Sequence, residues 1–235
     1  MKSHIKPLLA CIAVGVLLAV GSPIRLAAAE TVLRIGEGSQ GDIDPHHGAL
    51  FADAILQTNI YDALVFPSLD GKTTEIRPHL AESIDIDPTG TVYTIKLRAN
   101  VKFHSGNTMT ADDVVFSMNR MLAIQKGWSF LYTGVVKSAE AKGPLTAVIT
   151  LSDPSGAFYP SLVRLGIVDS KTVMAHKQAG DFGEFGDYGV EWLLKNSAGT
   201  GAYEVVSHLR QERTVLNKFK DYFLGHHPKA PDVVH

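Results

Sequence analysis

Three groups of residues in this chain could do chemistry by type and spacing. The first is histidine: there are ten, including the adjacent pairs His46-His47 and His226-His227. Neighbouring side chains diverge on most backbones, and no cysteine or third ligand is placed by spacing, so a metal site is not predicted. The second is Gly36-Glu37-Gly38-Ser39-Gln40-Gly41, which follows the apolar run Val32 to Ile35 and matches the G-x-G-x-x-G dinucleotide fingerprint. That fingerprint works only when its last glycine opens a helix whose amides face a pyrophosphate. Here Asp42-Ile43-Asp44-Pro45 follows, and Pro45 disfavours helical geometry at Asp44. Asp62 stands about 20 residues on, where an acid would meet a ribose, so an exported nucleotide-binding enzyme using Gly36 to Gly41 is kept as the alternative. The third group is aromatic. Trp128, Phe130 and Tyr132 lie close together, and flat rings suit a cleft that desolvates varied ligands. The competing reading of Trp128 is core or hinge packing. No Gly-x-Ser-x-Gly elbow or phosphate loop is present, and Asp112-Asp113 is explained better by a helix start than by acid–base work. No catalytic residue, cofactor or enzymatic activity is assigned.

The elements that must position these groups follow from local patterns. Thr91 to Arg98 alternates, with Tyr93, Ile95 and Leu97 on one face, which marks a half-buried strand. Asp87-Pro88-Thr89-Gly90 before it is a turn, because proline fixes one torsion and glycine accepts a positive one. Thr110-Ala111-Asp112-Asp113 has the form of a capping box, and its carboxylates suit a helix N-terminus. Val114, Met118, Met121 and Leu122 then share one helical face, a core stripe, and Gly127 is expected to close the helix. Gly48 to Val65 is expected to be a helix with Phe51, Ala54, Ile55 and Tyr61 inward. Further expectations are strands at Val32 to Ile35 and Thr146 to Leu151, a short helix over Ser170 to Ala179, and a tight or mobile glycine loop over Gly180 to Gly189. Ala202 to Leu209 and Arg213 to Phe219 should pair as a hairpin. Strands and helices mix without strict βαβ alternation, so the class is mixed, α/β or α+β.

Residues 1–29 have the plan of a signal peptide: Lys2 and Lys6, an apolar run from Leu8 to Val20, and Ala27-Ala28-Ala29 as the cleavage site. Leu8-Leu9-Ala10-Cys11 resembles a lipoprotein processing box, but most of the apolar run lies after Cys11, so lipid anchoring there is not expected. Without the leader, 206 of the 235 residues remain, with no cysteine and hence no disulfide. The leader takes three of the 22 basic residues and no acid, which leaves 19 against 24 acidic residues and a net charge of −5. No basic cluster marks a nucleic-acid surface.

Several motifs in order carry a family resemblance. Pro78-x-Leu80-Ala81-Glu82-Ser83, the Asp87 to Gly90 turn, Val101-Lys102-Phe103-His104-x-Gly106 and the capped helix succeed one another between Pro78 and Arg120. Ile43-Asp44-Pro45-His46, Gly199-Thr200-Gly201-Ala202-Tyr203 and the stretch Asn217 to Gly225 flank them. The set resembles the solute-binding proteins of bacterial peptide and nickel ABC importers, extracellular solute-binding family 5. Ala202 and Phe223 depart from the family's proline and tryptophan. The resemblance implies a type II periplasmic-binding-protein clamshell in which residues 30–61 and 161–235 form one lobe, residues 62–160 an inserted subdomain, and the second lobe lies beyond His235. It implies a periplasmic monomer that carries a short peptide or similar small solute to the permease subunits of an ABC importer. Ala49, Leu50 and Phe51 would line the ligand cleft, with Trp128, Phe130 and Tyr132 as its aromatic side. The 235 residues alone would bind ligand poorly and expose an apolar face where the second lobe docks. A truncated remnant without function is the remaining alternative.

Overall fold

The computed structural model describes residues 30–36, 41–68, 73 and 75–235. The expected leader with Cys11, and Gly38 of the glycine run, lie outside the described residues. In chain order the strands are β1 (Val32–Leu33), β2 (Val65–Pro67), β3 (Ile76–Pro78), β4 (Ala81–Ile86), β5 (Val92–Leu97), β6 (Val136–Ala141), β7 (Thr146–Leu151), β8 (Tyr203–Leu209), β9 (Arg213–Lys218) and β10 (Val233–Val234). The helices are α1 (Phe51–Ile60), α2 (Ala111–Ile124), α3 (Phe158–Ser161), α4 (Ser170–Ala175) and α5 (Val190–Leu193). The strands form a four-stranded sheet in the order β4-β5-β7-β6, a second in the order β1-β10-β9-β8, and the pair β2-β3.

The larger core forms where α2 packs on the β4-β5-β7-β6 sheet. Tyr93, Ile95 and Leu97 of β5 alternate into it, as do Ala147, Ile149 and Leu151 of β7, against Val114, Met118 and Met121 of α2. The turn into β5 is built as its residues require: Gly90 takes φ +72°, and the Asp87 carboxylate accepts from the amides of Thr89, Thr91 and Val92. A smaller core gathers Ile43, Ile60, Val168, Val173, Leu193 and Leu216 beneath the second sheet. The expected hairpin is β8-β9, with Gln211 in the left-handed region at its turn.

At the start of α2, the Asp113 carboxylate accepts from the Thr110 amide at 2.8 Å. Its other oxygen accepts from the amide and hydroxyl of Ser170 at 3.0 and 2.6 Å. One acid therefore satisfies groups at the beginnings of α2 and α4 and ties the two together, the kind of orphan donors that helix starts leave.

Four expected boundaries are corrected. α1 runs only from Phe51 to Ile60, because the Gly201 amide takes the Ile60 carbonyl and turns the chain away. Its buried residues are Asp53, Gln57 and Ile60, while Phe51 points outward at 82 % exposure. Gln57 explains the inversion: its amide donates to the carbonyls of Asp42 and Asp44, so the inner face of α1 is a polar clamp. α2 ends in a left-handed Gln125, not at Gly127. α4 stops at Ala175, where the His176 amide bonds back to Val173, and β1 covers two residues instead of four. The Gly180 to Gly189 segment is a tight turn in which the Phe182 amide reaches Gly186 and the rings of Phe185 and Tyr188 stack at 4.6 Å.

Candidate functional site

The loop that leads into α1 is held by a buried charge network. Asp44, His46 and Arg120 are each fully buried. Arg120 donates through both terminal nitrogens to the Asp44 carboxylate at 2.8 and 2.6 Å, and its Nε donates to the Tyr188 carbonyl at 2.8 Å. His46 accepts from Arg120 on Nδ1 at 2.9 Å and donates from Nε2 to the Gly166 carbonyl at 2.8 Å. That arrangement assigns the neutral Nε2–H tautomer. Burial alone would raise the Asp44 carboxyl, but the adjoining guanidinium leaves it below its ordinary value. Burial, followed by the Arg120 charge, pushes His46 down to about 4. A buried guanidinium whose partners are complete is a positioning device. It pins the Asp44-Pro45-His46 turn against α2.

Beyond that turn the backbone is fixed twice more. Asp53 accepts from the Asp42 amide at 2.7 Å through one oxygen and from the Leu50 amide at 2.7 Å through the other. Gly127, at φ +55°, sits so close that a Cβ there would lie 3.0 Å from the His46 carbonyl and 3.2 Å from that of Gly48. The segment before α1 and the segment after α2 are thus packed backbone to backbone. Ala49 to Phe51 follow this junction on one side in the chain, and Trp128 to Phe130 follow it on the other.

These residues differ in what they present. Ala49 is exposed, and Leu50 and Phe51 are exposed at 68 % and 82 %. Phe130 is 65 % exposed, and its ring lies 5.9 Å from that of Trp128. Trp128 is half-buried with the Arg164 guanidinium 4.5 Å above it. Tyr132 is a correction. It is fully buried, its hydroxyl donates to the Ser161 carbonyl at 2.7 Å, and its ring meets Phe158 edge-on, so it has no surface for a ligand. Closeness in the chain grouped it with Trp128 and Phe130, but it follows a 3-10 turn over Ser129–Leu131 and faces inward while Phe130 faces out.

A shallow groove between α1 and the β2 region is lined by Ala54, Thr58, Phe66, Trp128 and Arg164. The groove is small, with a cavity of about 30 Å³. Ala54 and Thr58 continue the outward face of α1 that Phe51 begins. Arg164, Lys126 and Arg120 escaped the sequence reading. Single cations far apart in the chain carry no spacing signal, and only the fold shows what each one faces.

The other candidates resolve differently. After Gly41 the chain enters a turn, and no helix starts before Phe51. A Cβ on Gly41 would fall 1.8 Å from the Asp53 carboxylate, so this glycine serves close packing. The histidine pairs are engaged elsewhere. His47 donates to Asp42 at 2.7 Å, His226 bonds the Phe219 carbonyl, and His227 accepts from the Lys229 amide. Among the described residues no three His, Cys, Asp or Glu side chains gather as a metal site, and no helix is long and apolar enough to cross a membrane.

The mixed architecture is that of the periplasmic binding proteins. It superposes on DppA from Helicobacter pylori, a periplasmic binding protein in complex with the peptide STSA, with a TM-score of 0.70 and 29 % identity, covering 87 % of this chain and 42 % of that one. On the binding protein MoaA from A. tumefaciens R10, in complex with mannopinic acid, the TM-score is 0.73 at 27 % identity, with coverage of 88 % and 40 %. Residues 75–235 match the family described as bacterial extracellular solute-binding proteins, family 5, and the chain belongs to that family. A curated relative, the glutathione-binding protein GsiB of Pectobacterium atrosepticum, is 28 % identical over 224 residues, which are 94 % of this chain and 40 % of the relative. The chain therefore spans less than half the length of these relatives.

Proposed function

We propose that the protein is the solute-capturing component of an ABC importer, holding a short peptide or a similar small solute and passing it to the membrane permease. The observation that supports this reading is the close backbone approach of Gly127 to His46 and Gly48, beside a turn braced by buried charges, with the exposed apolar side chains of Leu50, Phe51 and Phe130 a few residues along the chain from that junction. Large exposed apolar side chains are costly in water unless something covers them in use, and a rigid bracing suits a preorganised wall of a ligand cleft. Family membership supports the same reading, since it is a family of binding proteins. Residues 30–61 and 161–235 form the lobe that carries this wall, and residues 62–160 the subdomain set into it. Export by the leader at residues 1–29 places the carrier in the periplasm as a monomer.

Calorimetric titration of the exported natural protein with di- and tripeptides, glutathione and nucleotides tests the proposal. Saturable heat with peptides is expected, weakened at least about tenfold by Phe51→Ser while the thermal midpoint holds, because an exposed side chain contributes little to stability. Heat with nucleotides and none with peptides would overturn it. Sequencing the N-terminus of the exported protein tests the leader, with cleavage after Ala29 expected.

A further inference from the structure

Lys126, just past the end of α2, reaches the loop before α1 through an unusual partner. Its Nζ lies 3.0 Å from Nε2 of His47, and Nδ1 of the same ring lies 2.7 Å from the Asp42 carboxylate. An ammonium has donors only, so Nε2 is the acceptor and the ring hydrogen sits on Nδ1, facing Asp42. The geometry therefore fixes a neutral His47 that relays a hydrogen bond from Lys126 to Asp42 and joins residues 79 apart in the chain. A second ring proton would go on Nε2 and point at the ammonium. The hydrogen bond would be lost, and two like charges would face each other.

The other charged groups nearby are engaged elsewhere. Asp42 meets the far nitrogen of His47 and stands 3.1 Å from Arg210 in the β8-β9 turn. Asp53 of α1 accepts from the amides of Asp42 and Leu50, and Asp44 and His46 are turned to Arg120. His208 of β8 lies in the field of Asp42 and Arg210. No described carboxylate is paired with Lys126. The relay also sits at the junction that leads to the wall: His47 lies between the His46 and Gly48 carbonyls on which Gly127 packs, and Lys126 immediately precedes Gly127.

We infer that His47 is a positioning residue that couples solute binding to pH. Neutral, it ties the loop before α1 to the segment after α2; protonated, it releases the tie and weakens the hold on solute. The inference rests on the carrier reading above and adds a regulation to it. Histidine is the side chain suited to this task, since its charge changes between pH 5 and 8.

The test is calorimetric titration of the natural protein with its tightest-binding di- or tripeptide at pH 7.5 and pH 5 (flagged as about the ends of the histidine range), with the thermal midpoint recorded at both. The wild type should bind at least about threefold more weakly at the lower pH, the size of one partly exposed polar tie. His47→Gln can donate to Asp42 and accept from Lys126 but cannot take up a proton, so its affinity should change by less than about 1.5-fold relative to the peptide's behaviour with Lys126→Met. Lys126→Met, which removes the tie at every pH, should also be flat but should bind more weakly than His47→Gln. A merely structural role for His47 would not make Lys126→Met lose the pH dependence. A wild-type affinity that does not fall, or a fall of equal size in His47→Gln, would overturn the inference and leave the carrier reading standing. Binding of no peptide at either pH would overturn both.

Discussion

At the scale of single residues, the Asp44–His46–Arg120 network decides how the wall of the site is held. Three polar side chains are taken wholly out of water here, which is tolerable only because each finds its partners. The arrangement has a pH signature whose sign follows from His46. Its pKa in the folded protein is depressed to about 4 from an ordinary 6.5. As pH falls below 6.5 the unfolded chain takes up a proton that the folded protein refuses. Stability is therefore full above about 6.5 and declines until about 4, by on the order of 3 kcal/mol. Asp44, also depressed, extends the loss to lower pH, because its carboxylate too is protonated more readily in the unfolded chain. Urea unfolding between pH 7 and 4 should show this decline, and His46→Gln should flatten the slope above pH 4.5 while lowering stability at pH 7. An unchanged slope in that variant would assign the pH dependence to other groups.

At the scale of elements, the junction between the loop before α1 and the segment after α2 is the sensitive one. Gly127 combines a left-handed backbone with close approach to the His46 and Gly48 carbonyls. Gly134 also has positive φ, +75°, but nothing lies within 4 Å of a Cβ there. Both Gly→Ala substitutions should cost about 1–2 kcal/mol through backbone strain, read as a drop in thermal midpoint. Only Gly127→Ala should also weaken peptide binding, since it must push aside the backbone that presents Ala49 to Phe51. Equal binding by the two variants would mean that this contact does not position the site. α2 itself was legible in advance because its start and its buried stripe are local features. α1 was legible as a helix but not in its orientation. Its buried side is Asp53, Gln57 and Ile60, and a polar clamp leaves no apolar period to read.

For the molecule as a whole, the two cores differ in depth. The α2-covered sheet buries Ile95, Ile149 and Met118 completely, whereas β1 joins β10 through two residue pairs and leaves Val32 and Leu33 exposed at 41 % and 45 %. Local opening follows buried contact, so amides of β5, β7 and α2 should exchange with solvent orders of magnitude more slowly than those of β1 and β10. Uniform protection in a hydrogen-exchange experiment would contradict this. The sequence by itself determined the β5 strand, its Asp87 to Gly90 turn, the β8-β9 hairpin and the capped α2, together with the ordered motifs that mark the family. Each of these is announced by features that lie close together in the chain, a period of two or of three to four residues or a turn-forming run. Only the tertiary structure decided that Arg120 reaches Asp44 across 76 residues, that Phe51 faces outward while Tyr132 turns into the core, and that Arg164 lies over Trp128. Those outcomes depend on which distant surfaces the packed backbone brings within a few ångströms. A side chain's type says what it can bond to, and the fold alone supplies the partner.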